Sequence, residues 1–163
     1  MAKQEEKTNV MRLLDKKRVE YESFTYPADG TLTGTQVAEM IGVDPTTAFK
    51  TLVTEGKSGA HYVFDIPVGA ELDLKKAAKA VGEKFVVMIK SKELLPLTGY
   101  IHGGCSPLGM KKFFTTTFDE SALKLNKICF SGGRLGSFLR TDLKEIAKII
   151  KISFADLTVC GEE

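Results

Sequence analysis

The stretch "AFKTLVTEGKSGAHYVFDIP", residues 48–67, contains two alternating runs separated by a glycine-containing turn. Residues 48, 50 and 52 share one face of an extended chain and 49, 51 and 53 share the other. The run over 60–67 is again rich in aromatic and β-branched residues, and the short "GKSGA" between them predicts a hairpin. Immediately downstream, Asp73 precedes "LKKAAKAVG", where Leu74, Ala77, Ala78 and Val81 fall at helical spacing with Lys75, Lys76 and Lys79 outside that stripe. The apolar "KFVVMI" at 84–89 then reads as another strand. A hairpin followed by a helical crossover calls for a sheet that mixes local and long-range pairing.

Working outward, residues 1–7 are polar and expected to fray. Val10, Leu13 and Leu14 mark a first helix, "VEYESFTY" (19–26) a strand, and "PADGTLTGT" a loop. A short helix at 35–41 ends at Gly42, and Asp44-Pro45 reads as a cap and first-turn proline. Towards the C-terminus, "SKELLPL" predicts a helix stopped by Pro96. "KKFFTTTF", "NKICFSGG" and "SFLRT" are strand-like, and "ISFAD" (152–156) is a last strand. Asp142 and Glu145 have the spacing of a capping box opening "LKEIAKII". The expected fold is mixed α/β, with residues 1–163 forming a single domain.

The chain has 163 residues, 43% of them apolar, and 23 Lys+Arg against 21 Asp+Glu, for a net charge of +2. This balance excludes a strongly basic polyanion binder but leaves room for a local basic patch. The lysines of 73–81 with Lys84, Lys111 and Lys112 form either such a patch or a solvated face. Cys105, Cys129 and Cys160 are scattered without a CxxC. With no signal-peptide pattern and no apolar run near the ~18 residues of a membrane span, the sequence predicts a soluble, cytoplasmic protein.

"TGYIHGGCSPLGMKK", residues 98–112, concentrates glycines around Ser106-Pro107. Paired glycines allow close approach of backbone N–H groups to a ligand, although the same pattern serves a sharp turn. Lys50 sits on an otherwise apolar strand face between Ala48 and Leu52, so it either reaches an edge or faces an anionic or electron-rich ligand. A Schiff-base lysine is the competing chemistry. His61 and His102 form no metal-binding pattern, so no metal or cofactor is expected. Cys105 lacks a suitably placed base, and Ser106 lacks a nucleophile elbow and reads as a loop-organising hydroxyl. "FSGGRLGSF" (130–138) is a second glycine turn, either a plain hairpin or a second wall of the same pocket.

"FKTLV" around Lys50, "LDLKKAAKAVG" at 72–82, "TGYIHGGCSPLGMKK" and "SGGRLG" at 131–136, in this order and at these separations, resemble the YbaK/EbsC family of aminoacyl-tRNA deacylases. The resemblance is to its Cys-tRNA(Pro)/Cys-tRNA(Cys) deacylase branch and runs from about Val10 to Asp156. It implies a curved, barrel-like mixed sheet flanked by helices, and trans-editing of mischarged tRNA. The partners implied are the acceptor end of the tRNA and, as an open point, prolyl-tRNA synthetase. By resemblance Lys50, Gly103 and Gly104 are the catalytic candidates, and Tyr26, Thr51, Ser106, Pro107, Gly132 and Gly133 the substrate-binding ones.

Two departures bear on side-chain selectivity. The loop after Tyr26 is shorter than in well-known members, with no match to their pocket phenylalanine near Leu32 or Thr33. Ser137 stands where members often carry an aspartate. Removal of alanine from tRNA(Pro), or non-catalytic binding of tRNA or synthetase, are the alternatives. In the resemblance's own chemistry the cysteinyl thiol attacks its own ester and leaves as a thiolactone, so the protein needs only to position it and stabilise the oxyanion.

Overall fold

The hairpin read from residues 48–67 forms the middle of a five-stranded sheet. β2 (Phe49–Gly56) pairs antiparallel with β3 (His61–Pro67), with Thr51 directly opposite Asp65. This computed structural model describes residues 7–159; the expected fraying of the first six residues, and Cys160, lie outside it. The short β4 (Val86–Met88) lies on the other edge of β2, antiparallel to it. β5 (Thr115–Asp119) and β8 (Ile152–Ala155) continue the sheet beyond β3 in parallel, giving the order β4-β2-β3-β5-β8.

A second, antiparallel sheet has the order β1-β7-β6, from Glu22–Thr25, Ser137–Asp142 and Lys127–Ser131. A bridge between Ala48 and Cys129 ties the two sheets where β2 begins. The mixed architecture is therefore the expected one, built as two sheets rather than a closed barrel.

Five helices surround the sheets among the described residues: α1 (Asn9–Lys16), α2 (Gly34–Met40), α3 (Leu74–Val81), α4 (Ser91–Thr98) and α5 (Leu143–Ile149). Thr8 caps α1, and Thr33 with Gln36 forms a full capping box on α2. Asp44 caps a 3-10 turn at Pro45–Thr47, which delivers the chain into β2. The largest core joins Val10 and Leu14 of α1 to Phe49, Val53, Val63 and Phe118 of the sheet, and to Cys105 and Leu108 of the glycine-rich loop. That loop is thus anchored on the core.

Four local expectations change. α4 runs through Pro96 to Thr98. The bond that proline cannot make is offset in the last turn, where Thr98 Oγ1 donates to Leu94 O and Gly99 N–H donates to Leu95 O, both at 2.8 Å. β4 is only three residues long and buries Val86 while leaving Val87 and Met88 exposed. Leu74 is likewise exposed, and Ala77 and Ala78 form the buried part of the α3 stripe. Asp142 caps α5 by accepting from Lys144 N–H, two positions on, so no capping box with Glu145 forms.

Candidate functional site

A pocket of about 370 Å³ opens at the start of β2, within the volume range of small-molecule sites. It wraps this end of the strand, so Lys50 and Thr51 both border it although they belong to opposite faces. Tyr26, Leu32 and Thr33 close one side. His102, Gly103 and Cys105 close another, and Leu135 and Phe138 complete it. Tyr26 packs edge-on against Phe138 with ring centroids 6.2 Å apart, and its N–H donates to Gly136 O at 3.0 Å.

Lys50 is partly buried and, among the described residues, its ammonium makes no hydrogen bond or ion pair. Burial holds its ammonium pKa below the ordinary lysine value, and the charge of Glu71 partly opposes this. An unpaired, partly desolvated cation attracts an electron-rich or anionic ligand group more strongly than a solvated one.

The two glycine turns meet, as one of the two readings of the second turn required. Gly103 has φ +85°, and a Cβ there would come within 2.7 Å of Leu135 Cδ2. A Cβ on Gly104 would stand 3.0 Å from the backbone of Arg134 and Leu135. Adjacent glycines are therefore what lets one loop lie against the other's backbone. Gly104 N–H donates to Ile101 O at 3.0 Å. The N–H groups of Gly103 and Cys105, both pocket-lining residues, have no partner among the described residues.

Ser106 and Pro107 are buried behind this wall, outside the pocket lining. Ser106 Oγ accepts from Leu108 N–H at 3.4 Å and organises the turn. Gly132 and Gly133 also lie outside the lining: Gly132 abuts Ser137, and Gly133 packs on Val10 and Tyr100. Ser137 is buried, with its hydroxyl unpartnered. Cys105 is buried too. Loss of solvation and the nearby Asp65 carboxyl push its thiol up to about 12, far from a thiolate at neutral pH. No cluster of potential metal ligands occurs among the described residues.

Asp65 is the residue that sequence reasoning passed over. It is fully buried on β3, and Thr51 Oγ1 donates to its Oδ1 at 2.5 Å, while Oδ2 has no partner. The available signal was an acid inside the otherwise apolar "VFDIP", opposite a pocket threonine in the hairpin register.

A second, wider groove brings Asp15, Glu20, Glu22, Asp142 and Glu145 against Arg18, Lys127 and Arg140. Acids outnumber bases there, which disfavours a phosphate-bearing ligand.

The family model of the aminoacyl-tRNA editing domain matches residues 29–149. The chain is 40% identical, over 96% of both lengths, to the "Putative Cys-tRNA(Pro)/Cys-tRNA(Cys) deacylase EbsC" of Enterococcus faecalis. Among solved structures, "a putative trans-editing enzyme for prolyl tRNA synthetase" superposes with a TM-score of 0.80 at 26% identity, over 93% of this chain and 95% of that one. The hypothetical protein APE2540 shares the fold with a TM-score of 0.81 at 23% identity, over 92% and 99%.

Proposed function

Because the chain belongs to the aminoacyl-tRNA editing domain family, we propose that it is a trans-editing deacylase that removes cysteine mischarged onto tRNA(Pro). The observation that carries the reading is the unpaired, partly buried ammonium of Lys50 in a pocket also lined by Gly103 and Cys105, whose N–H groups have no partner among the described residues. In this reading Lys50 anchors the aminoacyl end or the terminal nucleotide. The loop N–H groups receive the negative charge that develops on the ester carbonyl oxygen. Thr51 and Tyr26 line the same pocket and would contact the bound aminoacyl end. Ser106, Pro107, Gly132 and Gly133 act from behind, holding the loops that present those N–H groups.

The nucleophile is the substrate's own thiol, whose ordinary pKa of about 8.5 leaves a usable thiolate fraction near neutrality. The Cys105 thiol, at about 12, is a far poorer candidate. A synthetase site built for proline separates side chains differing by one methylene by only about 1–3 kcal/mol, so a second enzyme has mistakes to clear. The setting is the cytoplasm, where aminoacyl-tRNA is made, and docking on prolyl-tRNA synthetase would supply the choice of tRNA. No helix among the described residues is long and apolar enough to cross a membrane.

The test is incubation of the protein with Cys-, Ala- and Ser-charged tRNA(Pro), following loss of each ester. Rapid loss of cysteine alone is expected, with a thiolactone as first product. Faster loss of alanine would move the protein to the alanine-removing class, and binding without turnover would make it a carrier.

A further inference from the structure

The substrate-thiol reading leaves one chemical gap, since a thiol attacks only after losing its proton, and among the described residues no acid borders the pocket. His102 also lines the pocket, on the exposed part of the glycine loop, and a buried carboxyl stands one hydrogen bond behind the lining. Thr51 lines the pocket and gives its hydroxyl proton to Asp65 Oδ1 at 2.5 Å. With that proton directed inward, the Thr51 oxygen is left as an acceptor for a group within the pocket. We propose that Asp65, acting through the Thr51 hydroxyl, takes up the thiol proton of the cysteinyl ester and returns it to the departing ribose oxygen. The proposal rests on the substrate-thiol reading above.

Three features support a chemical role for Asp65 over a packing one. It is completely buried, yet its Oδ2 is unpartnered, an arrangement that costs stability and that an apolar residue would avoid. From β2 it accepts from Thr51; the Cys105 thiol of the glycine loop lies near enough to feel its charge; its register partner on β5 is Phe118. No cation is among the groups that act on its charge. Burial consequently raises its pKa to about 8, so at pH 7 the carboxyl is mostly protonated and only its ionised fraction, about a tenth, accepts a proton; because that pKa is close to the thiol's, transfer between the two is nearly balanced in both directions.

The step balances without an added reactant. The S–H proton passes to Thr51 Oγ1 as the Thr51 proton passes to Asp65 Oδ1, and the sulfur lone pair forms the S–C bond at the ester carbonyl. Collapse of the tetrahedral intermediate restores C=O and breaks the C–O bond to the ribose. The proton returns from Asp65 through Thr51 to that oxygen, giving the thiolactone and a free ribose hydroxyl. Asp65 never touches substrate, so it is a positioning residue for the proton and Thr51 is the group in contact.

The experiment is single-turnover deacylation of Cys-tRNA(Pro) and S-methylcysteinyl-tRNA(Pro) between pH 6 and 9, using wild type, Asp65→Asn, Thr51→Val and Thr51→Ser. Asp65→Asn and Thr51→Val are expected to be slower by about 10-fold at pH 7, with the deficit closing towards pH 9 as the thiol ionises unaided. Half-saturating protein concentration is expected to stay constant, and Thr51→Ser to retain the wild-type profile. Equal losses at every pH, or no loss, would overturn the relay while leaving the thiol reading intact. If wild type cleaves the S-methyl ester as fast as the cysteinyl ester, the thiol reading falls and the relay with it. Should Asp65→Asn fail to fold, Thr51→Val and Thr51→Ser decide alone, and matching profiles for those two reject the proposal.

Discussion

Lys50 and Asp65 are both ionisable groups displaced from water, and their environments push them in opposite directions, the ammonium down and the carboxyl up. Lys50→Ala is expected to reduce deacylation by at least about 100-fold, as loss of one preorganised electrostatic group commonly does, with little change in melting temperature. Cys105→Ala is expected to keep turning over, because it retains the backbone N–H and removes a thiol that is protonated at working pH. The raised pKa of Asp65 also has a signature in stability. Between pH 4 and 8 the folded protein holds a proton that the unfolded chain, with the ordinary aspartate value of 3.8, has released. That stabilisation is complete below about pH 4 and is lost as pH rises through about 8, with an upper bound of about 6 kcal/mol. Urea midpoints measured from pH 4 to 9 should therefore fall for wild type more steeply than for Asp65→Asn.

The two glycine turns function as one element, because the first lies on the backbone of the second. Gly104→Ala places a Cβ 3.0 Å from Arg134 backbone atoms, which cannot rotate away as a side chain can. An overpacking cost of about 1–3 kcal/mol is expected, with turnover falling further than stability because the free N–H groups of Gly103 and Cys105 move with the loop. Gly103→Ala adds a strained positive φ to its contact with Leu135. Urea denaturation beside a deacylation assay separates the two effects. Ser106 and Tyr100, whose hydroxyl donates to Leu108 O at 2.5 Å, fix the far end of the same loop, so its rigidity comes from buried bonds outside the pocket.

The pocket is a property of the whole molecule, lying where the five-stranded sheet, the three-stranded sheet and the glycine loop converge at the Ala48–Cys129 bridge. Phe118 on β5 is fully buried, with Phe49 and Phe154 at centroid distances of 5.9 and 6.4 Å, and so joins β2 to the sheet's far edge. Phe118→Ala should cost about 3–5 kcal/mol by emptying that position. Calorimetry should show the loss, while turnover measured well below the melting temperature should be affected less than by Lys50→Ala.

The hairpin, the Asp44 cap, the strand positions and the partly covered place of Lys50 were all legible along the chain, because strand alternation, capping and turn chemistry act over a few residues. Ends and edges were less so. Pro96 continues a helix because Thr98 and Gly99 satisfy the turn around it, and the apolar β4 is short and buries only Val86. The meeting of the glycine loops and the burial of Asp65 lie beyond any local pattern. Asp65 is an ordinary strand position until β5 pairs beside it and the glycine loop brings Cys105, forty residues downstream, near it. Periodicity fixes which residues share a face, but the polarity of a buried site depends on what non-local packing removes from water.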